Sequence, residues 1–106
     1  MSITAIITAY RNPTYLDLCL KYATENRNLS TTDICVVVDG YLSESAAVIE
    51  KYKNARIGVI ELEQNGGFAN AVNMGVYNAT TDIMFVVNED NVFPKDYDIK
   101  LAKYEH

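Results

Sequence analysis

Apolar residues fall along this chain in two alternating patterns. Short, nearly unbroken apolar runs are separated by longer stretches in which apolar residues recur with the spacing of one helix face. Ser2 to Ala9, Asp33 to Val38, Ile57 to Leu62 and Asp82 to Val87 are runs of the first kind. Continuous apolar runs of this length, bounded by turn residues, read as strands buried on both faces. Tyr15, Leu16, Cys19, Leu20 and Ala23 follow the helical spacing and predict a first helix. Asn12-Pro13 marks the turn before it, Thr14 with Asp17 fits a capping box, and Glu25 to Asn28 ends it. Ser43 is the expected cap of a second helix running to about Lys53, with Ala46, Ala47, Ile49 and Tyr52 as packing positions. Glu63 to Gly67 reads as a loop with Asn65-Gly66-Gly67 as its turn. A third helix is predicted over Phe68 to Ala79, with Phe68, Ala69, Val72, Val76 and Ala79 as its apolar stripe and Asn70, Asn73 and Tyr77 on another face. Pro94 opens a last helical stretch in which Tyr97, Leu101 and Tyr104 share a face.

Strands that alternate with helices form successive βαβ units, and these impose a parallel sheet with right-handed crossovers. The expected fold is therefore α/β: a three-layer, Rossmann-like sandwich with a mostly parallel sheet. The 106 residues suffice for one domain with one core, and no linker or repeat divides them.

Composition narrows the function classes. Net charge is −5 with nine Lys and Arg, which argues against a nucleic-acid partner, because phosphate backbones demand a basic stripe. A nucleotide remains compatible if a cation neutralises its phosphates. No apolar run is long enough to span a bilayer, so membrane association is not indicated. Met1 to Thr4 leads straight into a strand with no signal-peptide shape, and a cytoplasmic protein is expected. Cys19 and Cys35 fall in a helical and a strand pattern, no CxxC occurs, and the single His is residue 106. Reduced, buried thiols are expected rather than a zinc site.

Each predicted strand runs into polar residues at its carboxyl end, where open parallel sheets bind ligands. Strand one ends at Tyr10-Arg11, strand two at Asp39, and strand four at Asn88-Glu89-Asp90. Asp39 is placed either to accept from a base N–H or ribose hydroxyl, or to cap the Asp39-Gly40 turn. Asn88 and Asp90 offer oxygens to Mg2+ or Mn2+, or belong to a solvated acidic loop. Asn65-Gly66-Gly67 before a helix can present backbone N–H groups to an anion, or serve as a turn requiring positive φ. Asn73 either serves this site or is simply exposed. Arg11 reaches either a diphosphate or solvent.

Four segments together resemble the nucleotide-binding half of a family 2 glycosyltransferase with the GT-A fold, over about Ile3 to Tyr97. Ile3 to Asn12 is similar to the family's opening strand and Tyr-containing turn. Val37-Val38-Asp39-Gly40-Tyr41-Leu42-Ser43-Glu44 resembles its Val-Asp-x-x-Ser-x-Asp segment. Asn65-Gly66-Gly67-Phe68-Ala69-Asn70-Ala71-Val72-Asn73-Met74-Gly75 is close to its Asn-x-Gly-Phe-x-x-Ala-x-Asn-x-Gly signature, the most specific of the matches. Val86-Val87-Asn88-Glu89-Asp90 matches its DxD position in an Asn-x-Asp form. The resemblance implies strand order 3-2-1-4 and a nucleotide site at Thr8, Ala9, Tyr10, Asp39, Asn65, Gly67, Asn73, Asn88 and Glu89. It assigns the base contact to Asp39 and the metal, Mn2+ or Mg2+, to Asp90 with Asn88. The implied ligand is a nucleotide-diphosphate sugar, UDP or dTDP sugars foremost. Thr8-Ala9 stands where the family commonly has Pro-Thr, and Gly40-Tyr41-Leu42 rearranges the usual Gly-Ser turn. Val72 replaces a frequent Arg, and Asn88 in place of Asp lowers the charge of the site.

Enzymes of this family are expected to extend well beyond 200 residues, with the acceptor site and the general base in the second half. The chain ends one helix after Asn-x-Asp, so it is expected to be a shortened form, an isolated domain or a short relative. Glu89 and Asp96 are nearby carboxylates that nothing in the sequence positions as a base. The expected function is binding of a sugar donor and, in a full-length form, transfer to an acceptor hydroxyl. The alternative is a non-catalytic scaffold or oligomerisation module, pairing copies through an exposed sheet edge. A phosphoacceptor receiver is a third possibility, but it requires a paired acidic cluster after strand one and a Lys after a fifth strand, and the sequence has neither.

Overall fold

The computed structural model describes residues 2–103, and Tyr104, the last member of the predicted terminal stripe, lies outside them. The elements in chain order are β1 (Ile3–Ala9), α1 (Pro13–Glu25), β2 (Thr32–Asp39), α2 (Leu42–Lys51), β3 (Ile57–Leu62), α3 (Phe68–Asn78), β4 (Ile83–Asn88) and α4 (Tyr97–Ala102). The four strands form one parallel sheet in the order β3-β2-β1-β4. β1 is buried along its whole length and β2 along most of it, as central strands covered on both faces require. The expectation of full burial fails for β3 and β4, whose residues are part-buried or exposed because each is an outer strand with a neighbour on one side only. Each predicted strand lies within two residues of its observed limits.

Side chains alternate across the sheet and build a core on each face. Ala5, Ile7 and Ala9 of β1 with Ile34, Val36 and Val38 of β2 pack under α1, α2 and α4. Leu16, Cys19, Leu20 and Ala23 are the buried face of α1. On the opposite face Ile6 and Val37 meet Ala71 of α3, with Cys35, Ile60, Leu62, Met74 and Val86 around them. The three layers are thus unequal, with three helices on one face and one on the other. No helix among the described residues is long and apolar enough to cross a membrane.

Several local expectations are corrected. Asn12, not Thr14, caps α1: its side chain accepts from the backbone N–H of Tyr15, with Pro13 at the first helical position. Pro13 sets φ for the first turn, so the cap falls one residue before it. Tyr15 is half exposed and does not join the core. Ser43 lies inside α2, which starts after Tyr41 in the left-handed region without a side-chain cap. α2 packs through Leu42, Val48, Ile49 and Tyr52, whereas Ala46 and Ala47 are exposed.

The largest correction concerns α3. The predicted stripe of Phe68, Val72 and Val76 is not the buried face; Ala71 and Gly75 are buried, while Phe68 and Val76 are exposed. The reason is close approach. A Cβ on Gly75 would sit 2.5 Å from Ile6 Cγ2, so the helix settles on its smallest residues rather than its largest. At the other end, Pro94 precedes two turn residues and α4 begins at Tyr97. That segment is clasped to α1: Asp96 N–H donates to Asn26 O, Asn26 Nδ2 to Phe93 O and Tyr97 Oη to Ala23 O.

Candidate nucleotide site

The chain runs outward from β1 through β2 to β3, then returns to place β4 on the other side of β1. This reversal is a topological switch, and it opens a crevice at the carboxyl ends of β1 and β4. The observed cleft has a volume of about 430 Å³ and lies at that place. Its walls include Thr8, Ala9 and Tyr10 from the end of β1, and Asn88, Glu89 and Asp90 from the end of β4. Asp39 from β2 and Asn65 and Gly67 from the loop before α3 complete the set.

Register explains the convergence. Thr8 pairs with Asn88 across the β1–β4 ladder, and Asp39 lies one residue beyond the β2 partner of Ala9. Strand alternation sends Thr8, Asn88 and Asp39 to the face occupied by α3. Thr8 Oγ1 donates to Asn88 Oδ1 at 3.2 Å, which fixes the amide.

Asp39 is buried and its carboxylate closes the neighbouring loop. Oδ1 accepts from the Gly66 N–H at 2.8 Å, and Oδ2 accepts from the Gly67 N–H at 3.1 Å and Asn65 Nδ2 at 2.7 Å. Gly40 makes room for the contact: it sits at φ 79°, and a Cβ there would come within 2.8 Å of Asn65 N. The Asp39-Gly40 and Asn65-Gly66-Gly67 turns are therefore halves of one structure. The positive-φ turn reading is realised at Gly67, with φ 91°. The Asp39 carboxylate, however, closes the Asn65–Gly67 loop rather than capping its own turn, so the loop N–H groups of Gly66 and Gly67 face a carboxylate of the chain itself. Carboxylate oxygens accept more than one hydrogen bond each, so Oδ1 retains capacity for a further donor.

Glu89 is half-buried, and Oε1 accepts from the Tyr10 N–H at 3.4 Å. Burial pushes its carboxyl pKa up and the neighbouring Asp90 charge adds to this, outweighing the backbone hydrogen bonds that pull it down. Asp90 is exposed beside it, its Oδ1 accepting from Asn91 Nδ2 at 3.3 Å. The cleft wall thus holds three acidic residues, Asp39, Glu89 and Asp90, and no Lys or Arg. Arg11 is engaged outside it: Nε donates to Glu44 at 3.1 Å and the guanidinium lies 4.1 Å from the Tyr41 ring centroid. Among the described residues no three of His, Cys, Asp and Glu cluster as a ready-made metal cage. The oxygen donors at the β4 end are those of Asn88, Glu89 and Asp90.

Nine of the ten site residues named from the sequence thus come together. Asn73 does not: it sits on the exposed surface of α3, because the face towards the sheet is that of Ala71 and Gly75. Asp96 is also elsewhere, accepting from Asn28 Nδ2 at the far end of α1. Four lining residues went unassigned in the sequence: Asn12, Tyr15, Phe68 and Ala71. Tyr15 and Phe68 followed helical apolar spacing and read as core. The adjacency of Phe68 to the Gly66-Gly67 turn was the one signal that it stands at the cleft. Cys19 and Cys35 are free thiols that do not line the cleft, Cys19 buried as expected and Cys35 only partly so. Burial pushes Cys19 up to about 12, with the charges of Glu89 and Asp90 adding to this.

The profile of the family described as Glycosyl transferase family 2 matches residues 4–104. No curated protein matches the chain. Among solved structures, Staphylococcus aureus TarS 1-349 superposes with a TM-score of 0.83 at 24% identity, covering 97% of this chain and 31% of that one. The same protein in complex with UDP-GlcNAc gives a TM-score of 0.84 at 24% identity, over 97% and 30% of the two chains. Mannosyltransferase PcManGT from Pyrobaculum calidifontis, in complex with GDP-Man and Mn2+, gives 0.75 at 20% identity, over 92% and 30%. The chain thus spans about a third of the length of these structures. With a profile match over almost its whole length, a parallel β3-β2-β1-β4 sheet and a cleft at its switch point, the chain belongs to glycosyltransferase family 2 and carries the Rossmann-like core of the GT-A fold.

Proposed function

We propose that the cleft binds a nucleotide-diphosphate sugar, with UDP or dTDP sugars foremost, as the donor half of a glycosyltransferase. The observation that carries this reading is the meeting of Thr8, Ala9, Tyr10, Asp39, Asn65, Gly67, Asn88, Glu89 and Asp90 around one crevice. Tyr10 and Asp39 lie on the β1–β2 side, suited to the base and ribose, and Asn88 to Asp90 on the β4 side, suited to the diphosphate. The remaining acceptor capacity of Asp39 Oδ1 suits a single base N–H, as uracil and thymine offer. The solved relative TarS in complex with UDP-GlcNAc supports that choice of donor.

The electrostatics bear on the cofactor. A diphosphate brought to a wall of three acidic residues without a Lys or Arg meets repulsion. Asp90 with the Asn88 amide oxygen fits a hard divalent cation of the Mg2+ or Mn2+ kind, which typically takes one or two protein carboxylates and completes its shell with phosphate oxygens and water. The chemistry such a cation supplies when bound is neutralisation of charge on the departing diphosphate. Mn2+ in the PcManGT complex supports this. In a full-length enzyme the acceptor oxygen would form a bond to the anomeric carbon as the bond to the diphosphate breaks, and its proton would pass to a base outside these residues. The reading places the protein in the cytoplasm, without nucleic acid.

The test is calorimetric titration with UDP, dTDP and GDP, in Mn2+ and then in EDTA, on the parent chain and on Asp90→Ala. Metal-dependent binding of UDP or dTDP, lost in Asp90→Ala with unfolding unchanged, is expected. Equal affinity in Asp90→Ala would overturn the assignment of Asp90. A second reading, a scaffold or oligomerisation module, draws on the position of β4 at the sheet margin, with Met84 41% exposed.

A further inference from the structure

At the amino ends of β2 and β3, on the margin of the sheet opposite the donor cleft, lies a polar groove of about 420 Å³. Its walls are the end of α1 with the loop behind it, and the loop from α2 into β3. Two guanidiniums line it, Arg27 and Arg56, beside Asn54, Ser30 and Thr24. Arg27 donates from Nη1 to Thr32 O and Arg56 O, at 3.4 and 3.3 Å, and from Nη2 to Ala55 O at 2.7 Å. Arg56 Nη2 donates to the same Thr32 O at 3.2 Å. Two cations therefore converge on one carbonyl.

Closing loop carbonyls accounts for Arg27 but not for the pair. Thr32 O already has Arg27 as a donor, so Arg56 adds one hydrogen bond while bringing a like charge alongside. Among the described residues neither guanidinium forms an ion pair, although the chain as a whole is acidic. Burial lowers the Arg27 pKa, the Arg56 charge lowers it further, and Asp98 and Asp33 offset this only through space. Arg56 is also held at φ 59°, a left-handed conformation that costs energy in any residue with a side chain. Arg27 commits three of its five N–H groups to those carbonyls and Arg56 one. Two adjacent guanidiniums with N–H groups left over, short of counter-charge and rimmed by an amide and hydroxyls, match a tetrahedral oxyanion.

We propose that this groove is a phosphate-binding site, taking inorganic phosphate or a phosphomonoester between Arg27 and Arg56. It is independent of the donor cleft and does not rest on the reading of that cleft. The rim amide of Asn54 and hydroxyl of Ser30 supply neutral donors to the oxygens left free by the guanidiniums.

Amide NMR spectra of the 106-residue chain, titrated with sodium phosphate against sodium chloride at matched ionic strength, test this. Saturable shifts are expected at residues 27–32 and 54–57, apart from those at residues 8–10, 65–68 and 88–90 that mark the donor cleft. Arg56→Gln removes one charge and a single hydrogen bond, and is expected to weaken phosphate affinity about tenfold. Asn54→Asp places a negative charge on the rim without breaking any hydrogen bond described for Asn54, and should weaken binding comparably. Thermal unfolding of both variants shows whether the fold is kept. Glycerol phosphate binding as tightly as inorganic phosphate would assign the site to phosphomonoesters, and inorganic phosphate alone would assign it to the free anion. Shifts confined to the donor cleft, shifts that chloride reproduces, or unchanged affinity in a folded Asn54→Asp would overturn the proposal.

Discussion

Two buried carboxylates do different work in this chain, and only one announced itself in the sequence. Asp39 stands at the end of an apolar run, where a ligand role is expected. Asp98 sits among Tyr97, Ile99 and Leu101 and reads as an unremarkable helix residue. In the structure it is fully buried and accepts from Asn28 N–H, Leu29 N–H and Thr32 Oγ1 at 2.7 to 2.9 Å, and from its neighbour Ile99 N–H at 3.0 Å. Burial pushes its carboxyl pKa up, but the hydrogen bonds from Leu29, Thr32, Asn28 and Ile99 outweigh burial and leave it lowered from 3.8. A lowered carboxyl stabilises the folded state fully above its unfolded pKa and loses that contribution as pH falls through the folded value. Acid unfolding of the parent chain should therefore include a component below about pH 4. Asp98→Asn turns an acceptor towards donors with an NH2 group. It is expected to cost about 3 kcal/mol at neutral pH and to flatten that acid limb, read by urea unfolding between pH 3 and 7. A variant as stable as the parent would deny Asp98 its role.

Among the elements, α1 and α3 separate what local pattern can and cannot deliver. The apolar face of α1 is legible because Leu16, Cys19, Leu20 and Ala23 are both its largest periodic set and its buried set. Its start was displaced by two residues because Thr14 and Asn12 are both good caps, and Pro13 decides between them. Asn12→Ala is expected to destabilise the fold by about 1 kcal/mol and Thr14→Ala by far less, measured as a shift in urea midpoint. For α3 the stripe of large residues was misleading, since the helix approaches the sheet through Ala71 and Gly75. Gly75→Ala gains about 1 kcal/mol of helix propensity. Its Cβ would meet Ile6 Cγ2, on a branched core side chain with little freedom to yield, and overpacking costs about 1–3 kcal/mol. Net destabilisation is expected, with the thermal midpoint falling; a rise would mean that α3 can lift off the sheet without loss.

The molecule as a whole has two margins for which a binding role is proposed, and two strand edges. The donor cleft occupies the carboxyl ends of the strands, and the Asp98 clasp and the arginine groove occupy the amino ends. β3 and β4 are the outer strands. β4 carries Ile83-Met84-Phe85-Val86-Val87-Asn88, with no charge and no proline to blunt it. Under the scaffold reading, the parent chain should associate as concentration rises in sedimentation experiments, and Met84→Lys should suppress this by charging the β4 edge. A chain that stays monomeric throughout would remove support from that reading. Donor binding is separable from association, because Asp90 lies in the cleft and not along the β4 ladder.

Local sequence determined the number, type and order of the elements, since period-2 and period-3.6 burial patterns are imposed by backbone geometry on each segment separately. From that alternation followed a parallel sheet, and from the polar residues closing each strand followed the margin at which the cleft opens. The resemblance drew attention to Asp39, Asn88 and Asp90 as well as to the Asn65 to Gly75 segment, and the structure brings the first three and Asn65 to one cleft. What required the folded chain was every contact between segments distant in sequence. The clamp of Asp39 on Asn65, Gly66 and Gly67 depends on two turns meeting across more than twenty residues. The removal of Asn73 from the cleft depends on which face of α3 the close packing of Gly75 against Ile6 selects. Asp98 is buried with hydrogen-bond donors from residues 28 to 32, and Arg27 and Arg56 are adjacent only because the α1 and α2 loops end side by side. Propensity acts on neighbours along the chain, whereas burial, charge and hydrogen-bond satisfaction act on neighbours in space.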